Sequence, residues 1–581
     1  MERVFSSLFW ADLGPLDLVD WASEEGSEFD LEAVVIYLRA LGMGGIRFSP
    51  FDASLRGFYP SELVPPSPLG TEAVDRGASI CRKQEIHFAL TVPVGFAGEW
   101  LRAEHPDWVA VPEGEGQKGG LVPFCPANEG YREFLLALAS ELVEKFRPLA
   151  IFFRATPIGS CLCDFCRKAF LEEVGFPLPE GVLSSADPKL LFSYLSFRRA
   201  QWREVASDLA LRLKERHPEV FVGLSAEGPW EAGLSLFPPE APVEAVEVKG
   251  VLPPANVGAE VLRPLRLRAE GALSGREGER LRAELVRILA AGGRPVLSEA
   301  LPLFYDCSPG ESLRGLIEFV KERITPLEGA LQAPHLGVVV SEATPAFLGR
   351  EMGYGEAKRW ALESLSGLFD LLWASSIPFA VLPVERLDGE ALRAFPLIVL
   401  ASTVYIPGAS QEALRDYLDE GGAILSFFEV GLFDEEGEKP GSAVPDLIGC
   451  TRVDTRRYKD ASMSGVELPA GHFLTLNLPQ RPIAPRMGAY LPISAAVRVD
   501  PLGQGIGVLR QPPVLEEGVS GGPRMGDRTG FPAIVVSEAG PGRTAYLCFD
   551  IGREHHLRRH PGYRQLFANL VHWLSPPEFE V

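Results

Sequence analysis

Through its first 333 residues the chain alternates short apolar runs with amphipathic stretches of helical period, the pattern of successive strand–helix units. Eight runs rich in β-branched and aromatic residues read as strands, at 3–12, 45–51, 86–94, 149–156, 221–227, 243–248, 262–270 and 295–301. The clearest helical stretches between them fall at 31–41, 71–83, 131–145, 190–215, 277–290 and 311–324. Eight strands, each followed by a helix or a long loop, predict a (β/α)8 barrel with insertions. The pattern is thinnest from the fifth to the seventh unit, where SLFPPEAP and VLPPANVG bring dense Pro and Gly punctuation.

A second pattern follows the Gln332-Ala333-Pro334 break. LGVVVSEA, a helix over 356–373, PFAVLPVERL, PLIVLAS, a helix over 410–420 and GAILSFFE describe a small parallel sheet covered on both faces. From 452 the chain turns to short strands rich in Pro and Gly, then ends on the strand TAYLCFD and a helix over 562–574 that can complete the same sheet. The expected class is α/β throughout. The expected domains are a barrel over 1–333, a smaller α/β domain over 334–451 and a β-rich region over 452–581.

Charge narrows the partners. Acidic residues outnumber basic ones by 78 to 56, and the formal net charge of -22 repels phosphate backbones and anionic headgroups, so neither nucleic acid nor membrane is expected. The first residues, MERVFSSLFWADLGPLDLVDW, lack the unbroken apolar core and small-residue cleavage site of a signal peptide. With no apolar run of about 18 residues elsewhere, the expected location is the cytoplasm.

Four of the eight cysteines carry a specific spacing. Cys161, Cys163 and Cys166 form CLCDFC just beyond the fourth strand, and Cys125 lies upstream in PFCPANEGYREF. Thiolates from two such segments can surround one zinc ion tetrahedrally, and a site closed by four cysteines is structural, with no position left for water. The alternative is a group of reduced buried thiols at a helix start. His555, His556 and His560 in REHHLRRH have metal-like spacing as well, but the arginines around them point to a solvated loop. No dinucleotide fingerprint, serine elbow or phosphate loop occurs.

In a (β/α)8 enzyme the chemistry lies at the C-terminal strand ends. Those positions hold Asp12, Asp52, Arg154, Glu227, Glu247, Glu270 and Glu299, with Trp10, Phe51, Tyr59 and Trp230 nearby. Carboxylates among aromatic rings suit a glycosidase, in which one acid protonates the leaving oxygen, a second carboxylate attacks or activates water, and rings stack on sugar faces. Glu227 in SAEGPW and Glu299 in LSEAL are the favoured pair, with Glu247 third. Trp10, Asp12, Asp52, Tyr59, Arg154 and Trp230 are the expected substrate contacts. Each acid has a structural alternative, accepting backbone N–H groups or pairing with arginine.

Several segments together resemble a known group. GFYPSE, EHPDWVAV, FCPANEGYREF, IFFRATP and CLCDFCRKAFLEEVG are similar to glycoside-hydrolase-like barrels distantly related to family 42 β-galactosidases and family 29 α-L-fucosidases. The later segments AFPLIVLASTVYIPGASQEALRDYLDEGGAILSFFEVGLFDEEGE and GRTAYLCFDIGREHHLRRHPGYRQLFANLVHWL resemble the β-galactosidase trimerisation domain, which has an amidotransferase-like fold. The resemblance implies carbohydrate as the partner, a structural zinc on Cys125, Cys161, Cys163 and Cys166, and a homo-oligomer, trimer or dimer. It implies no amidotransferase activity, because the turn after PLIVLAS lacks a nucleophilic cysteine.

One departure divides the functional readings. Where these families end the fourth strand in an acidic residue, this chain has Ile151-Phe152-Phe153-Arg154, and after the second strand Pro50, Phe51 and Asp52 stand where a histidine is common. An arginine neither transfers a proton near neutral pH nor attacks an anomeric carbon. The chain is therefore expected to be either a hydrolase whose carboxylate pair lies elsewhere, an inactive barrel that binds an acidic sugar, or an assembly scaffold.

Overall fold

The computed structural model describes residues 9–13, 31–113, 120–156, 160–185, 187–226, 245–248, 260–266, 294–298, 315, 318, 322, 334–401, 403–434, 437–438, 444–457, 464–479, 489–510 and 527–575. Two compact units result, one of 1–183 with 193–331, the other of 332–581 joined by the segment 184–192.

In the first unit eight strands run β1 (Phe9–Leu13), β2 (Met43–Phe48), β3 (His87–Val94), β4 (Ala150–Ala155), β5 (Phe221–Ala226), β6 (Ala245–Val248), β7 (Glu260–Arg266) and β8 (Arg294–Ser298). They close into a barrel in chain order, β8 pairing β1 and every neighbour parallel. Each overlaps one of the eight runs read as strands: β3, β4, β5 and β6 lie within theirs, and β1, β2, β7 and β8 overrun theirs by one or two residues. Around the described half lie helices α1 (Leu31–Ala40), α2 (Ala73–Lys83), α3 (Glu129–Phe146), α4 (Asp164–Val174) and α5 (Pro188–Arg216). The helices expected at 277–290 and 311–324 fall outside the described residues, apart from three isolated backbone positions.

Alternation along the strands separates two environments. Ile46, Phe48, Leu90, Val92, Ile151, Phe153 and Val222 join Val34, Val74, Leu135, Leu142 and Leu209 of the helices in one buried cluster. The intervening positions, Arg47, Thr91, Phe152, Arg154 and Ser225, therefore face the barrel interior. Close packing there uses Gly223, where a Cβ would come within 2.3 Å of the Phe152 ring. That position admits no side chain without displacing the phenylalanine.

The second unit carries a seven-stranded sheet. Its strands are β9 (Leu336–Val340), β10 (Phe379–Pro383), β11 (Leu397–Ala401), β12 (Ala423–Phe427), β17 (Gln504–Ile506), β19 (Ile534–Ala539) and β20 (Gly542–Leu547), in the order β10-β9-β11-β12-β20-β19-β17. Five strands are parallel, and the last two add antiparallel. The segment TAYLCFD thus contributes β20 beside β12. LGVVV, LIVLA and AILSF are buried at every position, as sheet strands covered on both faces must be. Strands β13 (Cys450–Arg457), β14 (Gly465–Leu468), β15 (Ala489–Pro492), β16 (Ala495–Pro501) and β18 (Val508–Arg510) form two small antiparallel sheets between these elements.

Helices α6 (Thr344–Met352), α7 (Tyr354–Ala374), α8 (Gly408–Asp419), α9 (Ile551–Arg558) and α10 (Pro561–Leu574) complete the unit. REHHLRRH is mostly helical, against the expected solvated loop: α9 carries His555 into the interior at 8% exposure. Among the described residues these histidines form no metal-holding group. Helices α7 and α9 approach so closely that a Cβ on Gly367 would lie 1.8 Å from the Gly552 carbonyl oxygen.

At that crossing Asp550 caps α9, accepting from the Arg553 N–H at 3.0 Å and from Ser364 Oγ at 2.9 Å. Burial pushes its carboxyl up to about 6. The folded state thus holds this proton more tightly than the unfolded chain, whose Asp titrates near 3.9. Its stabilising contribution is complete below about pH 4 and is lost as pH rises through 6, amounting to about 3 kcal/mol. Asp550→Asn keeps the cap and is expected to match the parent protein at pH 4 and exceed it at pH 7. Denaturant titrations at the two pH values check this, and a constant difference between the proteins contradicts it.

Candidate metal centre and barrel mouth

The four cysteines predicted from CLCDFC and PFCP come together. Their sulfur atoms all lie within 4.8 Å of one another, with Cys125 Sγ and Cys166 Sγ 3.5 Å apart. Four thiolates at about 2.3 Å around a tetrahedral zinc ion stand about 3.8 Å apart, so small adjustments would seat the ion. Cys125, Cys161 and Cys166 are at most 1% exposed and share a small cluster with Ala110 and Ala127, partly closed by Phe96.

Local structure supplies the convergence. The Cys125 N–H donates to the Trp108 carbonyl at 2.9 Å, and its carbonyl accepts from the Asn128 N–H at 3.1 Å, just before Asn128 caps α3. A short antiparallel pairing of Phe96–Ala97 with Val122–Pro123, not foreseen in the sequence, leads into this turn. Cys163 stands at the N-cap of α4 in extended conformation, between Cys161 before the helix and Cys166 in its first turn. The Leu162 N–H donates to the Val111 carbonyl at 2.7 Å, and the Cys161 N–H donates to Tyr194 Oη at 3.1 Å.

The four thiols hold their protons unequally. Hydrogen bonds with Cys125, Cys163 and Cys166 hold the Cys161 thiol below the ordinary range, while the bonds with Cys161, Cys163 and Cys166 push Cys125 up. The cluster shares protons that a divalent ion would replace. The N-terminal end of α4 adds positive potential beside the sulfurs. Cys81, Cys450 and Cys548 are buried outside this cluster, and Cys307 lies outside the described residues.

At the barrel mouth two expected substrate contacts bond within the protein. Tyr59 is fully buried and donates its hydroxyl hydrogen bond to Glu141 Oε2 at 2.9 Å, so its ring cannot stack on a sugar. Glu141 also accepts from Ser61 Oγ at 2.7 Å and the Glu62 N–H at 3.1 Å, and pairs with Lys145 at 3.1 Å. Burial alone would raise the Glu141 carboxyl, but the bonds from Ser61, Glu62 and Tyr59 prevail and hold it below its usual value. GFYPSE is thus a latch between the loop after β2 and helix α3.

Glu141→Ala is expected to cost about 2 to 4 kcal/mol, because it leaves the buried Tyr59 hydroxyl without its acceptor. Urea unfolding measures this, and a loss below about 1 kcal/mol contradicts the latch. Asp52 is likewise committed to its own loop. Its Oδ1 accepts from the N–H groups of Ser54 at 2.8 Å and Arg56 at 3.0 Å, and its Oδ2 from Ser67 Oγ at 3.0 Å.

Arg154 lies near the C-terminal end of β4, partly exposed, in register with Pro93 and Ser225. Glu247 is in turn the register partner of Ser225, and Asp12 that of Arg47 and Ser298. The side chains of Trp10, Asp12 and Glu247, and all of Glu227, Trp230 and Glu299, lie outside the described residues. The sequence reading passed over Arg47, which is 2% exposed with its guanidinium 4.9 Å from the centre of the Phe152 ring. Its signal was available in MGGIRF, a basic residue between two core-facing apolar ones.

No family model matches the sequence, and no curated protein matches it. Solved structures do. The β-galactosidase of Rahnella sp. R3 superposes with a TM-score of 0.70 at 13% identity, covering 99% of this chain and 89% of that one. Gan42B, a family 42 β-galactosidase of G. stearothermophilus, gives 0.68 at 14% identity over 98% and 88%. The α-L-fucosidase isoenzyme 2 of Paenibacillus thiaminolyticus gives 0.66 at 13% identity over 98% and 84%. These likenesses extend over both units, and at such identity they establish a shared fold and leave the chemistry open.

Proposed function

We propose that the chain is a carbohydrate-active protein of the glycoside-hydrolase type, a (β/α)8 barrel over 1–333 followed by an amidotransferase-like domain, with a structural zinc on Cys125, Cys161, Cys163 and Cys166. The observation that carries the reading is the likeness to a β-galactosidase over 99% of the chain, because it takes in the second unit as well as the barrel. In this reading Glu227 and Glu299 supply the acid and the nucleophile or base, with Glu247 as the third candidate. Zinc holds two loops together and takes no part in the chemistry. Cytoplasmic location and a homo-oligomer formed through the second unit belong to the same proposal. Among the described residues no helix is long and apolar enough to cross a membrane.

Assay of purified protein on a panel of aryl glycosides, with binding to the matching free sugars measured in parallel, tests the proposal. Turnover of at least one glycoside is expected. Neither turnover nor binding across the panel would overturn it.

A second reading is favoured by one specific residue. Arg154 occupies the strand end where a hydrolase of this type carries an acid, and a guanidinium there suits a carboxylate or sulfate on the ligand. In that case the barrel binds an acidic sugar without hydrolysing it.

A further inference from the structure

Helix α5 runs past the cysteine cluster with a polar stripe in an otherwise apolar face. Tyr194, Arg198 and Gln201, spaced four and three residues apart, fall on the side that meets the sulfurs. All three are buried, at 1%, 1% and 8% exposure. Arg198 directs Nη1 at Cys166 Sγ, 3.7 Å away, and the same nitrogen donates to Gln201 Oε1. The Gln201 amide in turn directs Nε2 at Cys166 Sγ, 3.8 Å away. Tyr194 Oη accepts from the backbone N–H of Cys161 at 3.1 Å.

A guanidinium keeps its charge, and burying it is costly unless an anion lies beside it. Its Nε and Nη2 have no hydrogen-bond partner among the described residues. Among the described residues, the groups that answer its charge are the Tyr194 hydroxyl and the sulfurs of Cys166, Cys125 and Cys161. A divalent ion held by four thiolates carries two net negative charges, and these are also costly to bury alone. Each buried charge thus answers the other.

We infer that Arg198, held in place by Gln201, is the charge partner of the metal centre: it hydrogen-bonds the Cys166 thiolate and sets how tightly zinc is retained. It is a positioning residue, acting on the metal only through Cys166. The inference rests on the zinc reading proposed above and goes beyond it, since the four ligands alone do not require a cation beside them. A purely packing role for Arg198 would leave the metal's electronic environment unchanged.

The test uses the full chain with Arg198→Met, Arg198→Lys and Gln201→Leu. Zinc affinity is measured by chelator competition, and cobalt(II) replaces zinc as a spectroscopic probe of the thiolates. Arg198→Met is expected to weaken zinc about 10- to 100-fold and to shift the thiolate-to-cobalt charge-transfer band, as loss of a hydrogen bond to a ligand does. Arg198→Lys, which keeps the charge, is expected to recover most of the affinity, and Gln201→Leu to show a smaller loss than Arg198→Met.

Folding of each variant is checked by circular dichroism. Should Arg198→Met fail to fold, Arg198→Gln takes its place, with a loss of about 10-fold expected. A folded neutral variant with unchanged affinity and an unshifted band overturns the inference while leaving the zinc reading intact. Parent protein that binds no zinc overturns both.

Discussion

Replacing Cys166 with Ser is expected to empty the metal centre and to lower the thermal midpoint of the first unit by about 6 °C, and chelation of the parent protein should reproduce the shift. Cys166 is the ligand to lose because it meets Cys125 at 3.5 Å, Arg198 at 3.7 Å and Gln201 at 3.8 Å. A serine hydroxyl is a poor zinc ligand, and the remaining thiols would again hold protons inside a buried cluster. Structural zinc contributes roughly 10 to 16 kcal/mol in small peptides that are unfolded without it.

Here the ligand segments have other anchors. The Trp108 and Val111 carbonyls hold the two turns, and Asn128 caps α3. The expected loss is therefore only about 4 kcal/mol, and a unit of roughly 320 residues, at about 2.1 cal/mol/K per residue, converts each kilocalorie into about 1.5 °C. Cys81→Ser, at a buried cysteine outside the cluster, is the control and should leave the metal content unchanged. Elemental analysis reads the outcome. Less than about half an equivalent of zinc in untreated protein, or full zinc in Cys166→Ser, contradicts the centre.

What the sequence disclosed and what it hid follow one physical distinction. Sheet strands covered on both faces must be apolar along their length, and barrel strands apolar where they meet the helices, so VVV and IFF announce themselves locally. Cysteine spacing is equally local, since three of the four sulfurs sit within six residues of chain. Tyr59 was misread because its partner Glu141 is 82 residues away, and nothing in GFYPSE reveals an acceptor on α3. For Asp52 the two roles read alike in sequence, because an acid that accepts from its own turn has the same neighbours as one that faces a ligand. Arg198 was hidden in a 29-residue helix where a basic residue reads as surface until the fold turns it inward.

The same distinction bears on the barrel mouth. Strand registers are backbone facts, and they align Arg154, Ser225 and Glu247 across β4, β5 and β6. An arginine two strands from an acid, at the end of the barrel where chemistry is expected, can serve either of two purposes. It can hold the carboxylate of a ligand, or it can lower the pKa of a neighbouring protein acid and keep that acid ionised. The first purpose makes Arg154 the affinity determinant, and the second makes it an accessory to hydrolysis.

Two sets of variants separate these purposes with the largest kinetic effects expected of this protein. If the barrel hydrolyses glycosides with Glu227 and Glu299, then Glu227→Gln and Glu299→Gln should each lower kcat by about 10² to 10⁴-fold, the usual contribution of a positioned acid or base. The proton donor's variant should regain rate on substrates whose leaving group needs no protonation, and the attacking residue's variant should not. Arg154→Met should then alter the pH profile of kcat/KM, because it removes a charge that stabilises an ionised acid. In the binding reading turnover is absent from all of these proteins, and Arg154→Met instead weakens a uronate or sulfated sugar more than its neutral counterpart. A charge-assisted bidentate contact is worth about 1.5 to 3 kcal/mol, or roughly 10- to 150-fold in Kd. Turnover that is indifferent to both glutamate changes removes Glu227 and Glu299 from the mechanism and passes the question to Glu247, whose register beside Ser225 makes Glu247→Gln the next variant to measure.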